Sequence, residues 1–259
     1  MNFRLTNNKN GYKILPSFKN YILNRKENGD SMEKGIVDKA EWRVERRKEL
    51  FLPAYTLSEE IMNAVTHGIG VGLGIAGLIV LLIFGHHDAL TVTSVSIFGA
   101  TMIMLYLVST LYHALGVNKA KKLFRIFDHC TIFLLIAGTY TPIALLCFGG
   151  ATGWLMFGIV WGVAVLGIVL NAIDLHRFRK FSMACYIGLG WLVVFFFKPL
   201  IEHLDRTSII YLIVGGILYT VGAVIYAAGK KVKYMHSVWH LFVLGGTIFH
   251  YFVIYHIAV

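Results

Sequence analysis

A chain of 259 residues with 57% hydrophobic and 15% charged residues, at a mean hydropathy of +0.66, is not that of a soluble domain, in which about 25% of residues are charged. The formal charge of +10 would suit a nucleic-acid binder. The basic residues instead sit in the N-terminal stretch and in alternate loops between apolar runs, a pattern of membrane topology that excludes nucleic acid as the main partner.

Residues 1–58 are polar and basic. They lack an apolar h-region ahead of a small-residue cleavage site, so the first apolar run is expected to act as an uncleaved targeting signal. Met32 is an alternative translation start, and no function is assigned to residues 1–31. The stretch from Glu41 to Phe51 mixes charge with Trp42, Val44, Leu50 and Phe51. It reads either as an amphipathic helix lying on the headgroups or as part of a solvated, partly disordered tail. The domain reading is a basic cytoplasmic tail over 1–54 and a membrane domain over 55–259.

Seven apolar runs follow, at 60–84, 92–115, 125–148, 152–172, 182–199, 208–228 and 236–258. Each is long enough to be read as a membrane span, which gives an all-α seven-helix bundle; the short alternating segments of an outer-membrane barrel are not seen. Pro142 predicts a kink in the third helix, with Thr139 and Thr141 close by to satisfy freed backbone groups. Cys130, Cys147 and Cys185 are an odd set without CxxC spacing, so they form neither a disulfide framework nor a thiolate metal motif and read as packing residues. Orientation comes from the basic residues. Twelve lie in the tail, four at the junction of the second and third runs (Lys119, Lys121, Lys122 and Arg125, the last opening the third run), three between the fourth and fifth, and three between the sixth and seventh. Only Lys198 and Arg206 fall on the other side. Lys and Arg favour the cytoplasmic face, so the N-terminus is expected inside and the C-terminus outside.

Ionisable residues within spans are costly, so each is a candidate for function. Ser109 and His113 are spaced i, i+4 and share a helix face, as do His236 and His240. With the expected orientation, these four and Asp128 converge on one layer just below the cytoplasmic surface. Three imidazoles with an open fourth position suit catalytic zinc, and imidazole also suits copper, iron and nickel. Asp128 and Ser109 would then orient a water or ligand from outside the metal's ligand set. Helix-packing histidines are the competing reading.

The stretches Glu60-Ile61-Met62-Asn63-Ala64-Val65-Thr66-His67-Gly68, Ser109-Thr110-Leu111-Tyr112-His113, Phe127-Asp128-His129, Gly138-Thr139-Tyr140-Thr141-Pro142 and His236-Ser237-Val238-Trp239-His240 resemble the hemolysin III family, within the wider superfamily of progestin and adiponectin receptors. The resemblance covers roughly residues 55–259. It implies a zinc ion held on the cytoplasmic side by His113, His236 and His240, with Asp128 and Ser109 near the metal's water. The superfamily also resembles alkaline ceramidases, which cut a lipid amide.

Several polar residues are set aside. His67, with Asn63 one turn earlier, reads as a hydrogen-bonded packing histidine, with a place in the site's outer shell as the alternative. His250 lies about 15 Å past His240 along its helix, too far to share a metal. His129 neighbours Asp128 and is expected to face a different direction. His86, His87 and Asp88 read as a solvated loop. Three functions remain: a zinc-dependent hydrolase of lipid amide or ester bonds, a membrane-lipid sensor with structural zinc, and a pore-forming cytolysin. A membrane lipid is the expected substrate or ligand.

Overall fold

The computed structural model describes residues 7–8, 11–12, 41–229 and 232–259. The readings of Met32 and of residues 1–31 therefore fall outside the described residues, apart from a two-residue antiparallel pair in which Asn7–Asn8 (β1) faces Gly11–Tyr12 (β2). The chain divides into two compact units, residues 1–54 and 55–259. In the first, residues 41–49 are helical. Arg46 and Glu49 pair across one turn of that helix, and the Arg47 guanidinium donates to the Pro53 carbonyl.

The second unit is helical throughout. Helix α1 (Leu57–Phe84) opens at a capping box: the Thr56 hydroxyl accepts from the Glu59 backbone N–H, and the Glu59 carboxylate accepts from that of Thr56. Such reciprocal capping satisfies two of the N–H groups that a helix start leaves over. Helix α2 (Ala89–Ala114) begins at Asp88 and α3 (Lys119–Pro142) at Asn118, each of whose side chains accepts backbone N–H bonds. Pro142 does not end the helical path, which continues as a π-helical stretch, Ile143–Phe148. Thr139 and Thr141 bond the carbonyls of Leu135 and Ala137. They do not bond the Gly138 carbonyl, the one that a proline at 142 leaves without its helical N–H. Gly149 and Gly150, at φ of +59° and +49°, make the turn into α4 (Gly150–Trp191). A 3-10 stretch, Leu192–Phe196, then leads into α5 (Phe197–His203). Helix α6 (Arg206–Ala228) is capped by Asp205, and α7 (Met235–Ala258) completes the unit.

Among the described residues, six helical stretches are long and apolar enough to cross a membrane. The fourth, Gly150–His203, has 54 residues and contains both the fourth and fifth apolar runs of the sequence. Within α4 helical dihedrals fail only at Asp174, with φ −156° and ψ 92°. That residue is a hinge rather than a kink. Asn171 and Ser182 would stand roughly 16 Å apart on a straight helix, yet the Ser182 hydroxyl donates to Asn171 Oδ1 at 2.6 Å. The arms on either side of Asp174 therefore run back along one another, and Met156, Val160 and Ala164 share a core cluster with Leu189.

Helix α3 is central. In its most apolar window, which extends into the π-helical stretch, 72% of residues are buried, against 22–50% in the other five. Gly138 lets α3 approach α2 closely, since a Cβ there would fall 1.9 Å from the Thr101 hydroxyl. Small residues at helix contacts serve this purpose in membranes, where packing replaces the hydrophobic effect between helices. Helix α7 packs on both α6 and α1, which closes the bundle. The outer faces remain apolar, with Ile69, Leu73, Ile79 and Ile83 of α1 exposed.

Candidate metal centre

The N-terminal ends of α1, α3 and α7 and the C-terminal end of α2 meet at one end of the bundle. His113 lies in the last turn of α2. The i, i+4 spacing puts His236 and His240 on one face of the first turns of α7. Tyr234 begins that helix in a left-handed conformation, φ +62°, with its backbone N–H donated to Glu59 of α1 at 3.0 Å.

One nitrogen from each of His113, His236 and His240 lies within 4.8 Å of the other two. His236 Nε2 and His240 Nε2 are 3.2 Å apart. Tetrahedral zinc with Zn–N bonds of about 2.0–2.1 Å requires nitrogens roughly 3.3 Å apart. The tautomers fit as well. His113 Nδ1 lies 2.8 Å from Glu60 Oε2, an acceptor, so this nitrogen carries the hydrogen and Nε2 bears the lone pair. His113 Nε2 is buried without a hydrogen-bond partner among the described residues. His240 Nδ1 faces the Asn63 carbonyl at 3.2 Å and the Thr66 hydroxyl at 3.1 Å, which again leaves Nε2 as the lone-pair nitrogen. A buried, orphaned imidazole nitrogen facing two others is what a divalent ion would satisfy, so these three histidines fit a metal site.

A second layer holds this set. Glu60 Oε1 pairs with Lys121 Nζ at 3.1 Å. The Lys121 ammonium also donates to the carbonyls of Tyr112 at 2.8 Å and Leu115 at 3.0 Å, which ties the start of α3 to the end of α2. Asn63 Oδ1 accepts from the Ser237 hydroxyl at 2.5 Å, locking α1 to α7. Tyr55, just ahead of α1, has its ring 5.0 Å from that of His236. Burial, then the nearby Tyr226, Glu60 and Asp128, push its phenol well above the usual range.

Asp128 and Ser109 occupy different surroundings. The Asp128 carboxylate is not among the three mutually close ligand groups; it lines a cavity of about 370 Å³ together with His236. Ser109, one turn before His113 on α2, has its hydroxyl buried with no hydrogen-bond partner among the described residues. His129 also lines the cavity; its Nδ1 lies 3.0 Å from the Arg125 carbonyl and 3.8 Å from Asp128 Oδ2. His250 lines it too, bonded through Nε2 to the Leu212 carbonyl at 3.3 Å. The cavity runs from this end of the bundle past Ile136 and Tyr140 of α3 to Leu200 and Leu212, and its walls are largely apolar.

Sequence reasoning missed Glu60 and Lys121, and for His67 it ranked a hydrogen-bonded packing residue ahead of a place in the site's outer shell. His67 lies on the ring of His240, with centroids 3.5 Å apart and planes 9° from parallel, and both of its nitrogens are buried. A signal for this face existed: Glu60, Asn63 and His67 recur at i, i+3 and i+7 in an otherwise apolar helix, the spacing of a single helix face.

Residues 55–251 match the family described as Haemolysin-III related. The chain is 44% identical over 200 residues to "Hemolysin-3" of Bacillus cereus, covering 76% of this chain and 91% of that protein. It is 43% identical over 202 residues to the "Hemolysin-3 homolog" of Bacillus subtilis (strain 168), covering 77% and 94%. It is also 24% identical over 208 residues to the "Monocyte to macrophage differentiation factor" of Homo sapiens, covering 77% and 84%. The chain thus belongs to the haemolysin III family, and it is a multi-pass protein of the cell membrane.

Proposed function

We propose that the protein is a zinc-dependent hydrolase of lipid amide or ester bonds. In this reading it crosses the plasma membrane seven times, with its N-terminus in the cytoplasm, its C-terminus outside and the metal centre just beneath the cytoplasmic surface. One observation carries the reading: three imidazoles, two with Nδ1 hydrogens committed to fixed acceptors, converge beside a largely apolar cavity of about 370 Å³. The two arms of α4 supply the extra crossing. The basic residues on alternate loops supply the orientation.

Imidazole ligands suit zinc, and a bound zinc would supply Lewis-acid polarisation of a carbonyl and an activated nucleophile at neutral pH. The chain's own residues do the rest. His113, His236 and His240 would hold the ion, and the contacts of Glu60 and the Asn63 carbonyl to the Nδ1 atoms of His113 and His240 would leave their Nε2 lone pairs free for it. Asp128, on the cavity wall, takes the proton of the attacking water and returns it to the departing amine or alcohol. The Ser109 hydroxyl, without a partner of its own, donates to the oxygen that gains charge. The apolar walls hold the acyl chain and keep bulk water out.

The test is release of free fatty acid from a panel of amide and ester lipids by purified protein, with a chelated control. Asp128→Asn should keep the fold and most of the zinc while lowering turnover by about 100- to 10,000-fold, the usual contribution of a general acid–base group. Unchanged release in Asp128→Asn would discard this mechanism. No zinc-dependent release across the panel would leave the lipid-sensor reading, with zinc as a structural ion.

A further inference from the structure

One polar side chain of the cavity wall has no part in the chemistry above. His250 of α7 lies ten residues past His240, roughly 15 Å along the helix, and it lines the cavity. An ionisable side chain inside an apolar span is costly and marks a candidate for function. Its Nε2 lies 3.3 Å from the Leu212 carbonyl of α6. A carbonyl only accepts, so Nε2 carries the hydrogen and Nδ1 the lone pair. That carbonyl already receives the helical N–H of Gly216, so the bond holds the imidazole more than it holds the helix. Gly215 seats the ring, since a Cβ there would fall 2.3 Å from Cδ2 and 2.6 Å from Nε2. The Cδ2–Nε2 edge is therefore pressed onto α6, and Nδ1 lies on the other side of the ring. Nδ1 receives no hydrogen bond from the described residues, and it is not one of the partnerless buried atoms that protein encloses. Among the hydroxyls of the cavity wall, Tyr219 pairs with Thr247 at 2.7 Å, while Thr139 and Thr220 donate to the carbonyls of Leu135 and Gly216 at 2.8 Å each. The acceptor is left for whatever fills the cavity.

We propose that the stretch of cavity beside His250 is a hydroxyl-recognition subsite, in which Nδ1 accepts a hydrogen bond from a hydroxyl carried on the chain of the bound lipid. This rests on the lipid-filled cavity of the proposed function, and it adds a specificity contact well away from the metal ligands. The separation of His240 and His250 sets the position of that hydroxyl. Roughly 15 Å of helix matches about a dozen bonds of an extended acyl chain, so the hydroxyl belongs at mid-chain and not beside the head. The subsite then selects chain-hydroxylated lipids over plain ones.

The experiment measures displacement of a fluorescent fatty-acid probe from the purified full-length protein. The competitors are stearic acid, stearic acid hydroxylated at mid-chain, and stearic acid hydroxylated beside its carboxyl. Zinc content is measured in parallel, to show that the metal centre is intact. Wild type should bind the mid-chain isomer about 3- to 10-fold more tightly than stearic acid, the net effect of one hydrogen bond. In His250→Phe that ratio should fall to about one, for want of the acceptor. His250→Gln offers an amide oxygen and should recover part of the preference. If His250→Phe does not fold, His250→Leu removes the same nitrogens and carries the comparison. Equal affinities in wild type overturn the proposal, since water would then satisfy Nδ1. A preference kept in the folded variant overturns it too, as does a preference for the isomer hydroxylated beside the carboxyl. If wild type binds neither the probe nor any of the acids, the lipid reading itself fails and the inference falls with it.

Discussion

Glu60 shows how a side chain can set a site without joining it. Its carboxylate lies between an imidazole and an ammonium, both buried. The histidine contact holds the His113 hydrogen on Nδ1, and partners of this kind typically contribute about 10- to 100-fold to metal affinity. Glu60→Gln should therefore weaken zinc by about that factor, read by competition with a chromogenic chelator. The fold should also weaken, because Lys121 loses its opposite charge; breaking a buried pair costs about 3–5 kcal/mol. Retained metal affinity in this variant would show that the His113 tautomer is set elsewhere. The three histidines were legible from sequence because imidazoles inside apolar runs, paired at i, i+4, are rare enough to notice. Glu60 was not. An acidic residue in the first turn of a helix reads as favourable to the helix dipole, and Lys121 reads as one more cytoplasmic basic residue. Their pairing is a tertiary fact between α1 and α3.

At the level of elements, the seven apolar runs were legible and their connections were not. The sequence suggests a loop of several residues around 173–181, because Asp174, His176, Arg177, Arg179 and Lys180 are polar. The chain instead reverses at Asp174 alone, and helical geometry resumes at once, with Asp174 accepting the N–H groups of His176 and Arg177 at 2.9 Å each. Hydropathy shows where a helix leaves the membrane but not how few residues the turn needs. The bond between Ser182 and Asn171 clasps the two arms. Ser182→Ala should lower stability by about 1 kcal/mol and leave zinc content unchanged, read by thermal unfolding in detergent alongside metal analysis. No loss of stability would mean that apolar packing alone holds the arms together. The capping box of α1 is a second check at this scale. Thr56→Ala should cost about 1 kcal/mol, the typical value of an N-cap.

The whole molecule is organised by two asymmetries, one of charge and one of function. Reporter fusions at Val259 should read as extracytoplasmic, and fusions in the loop before α7 as cytoplasmic. The reverse result would move the centre to the outer side of the membrane. Removing two ligands together, His113→Ala with His240→Ala, should abolish stoichiometric zinc and lower the unfolding temperature, since an ion that binds only the folded chain stabilises it. Full occupancy in that double variant would refute the ligand assignment.

The ligands are also separated in time. His113 and His236 are 123 residues apart in the chain, and the supporting Glu60 and Asn63 come earlier still. On the ribosome, α1 and α2 enter the bilayer long before α7 exists, so the early helices carry a charged and polar face with no ion to complete it. On the proposed ligand set, the ion would bind only once α7 has inserted and closed against α1. Zinc loading would thus mark the end of membrane assembly, and intermediates halted before residue 236 would have to shelter Glu60 and His113 by other means, such as an insertase or a chaperone. A cell short of the ion would accumulate the chain in that unfinished form, exposed to quality-control proteases.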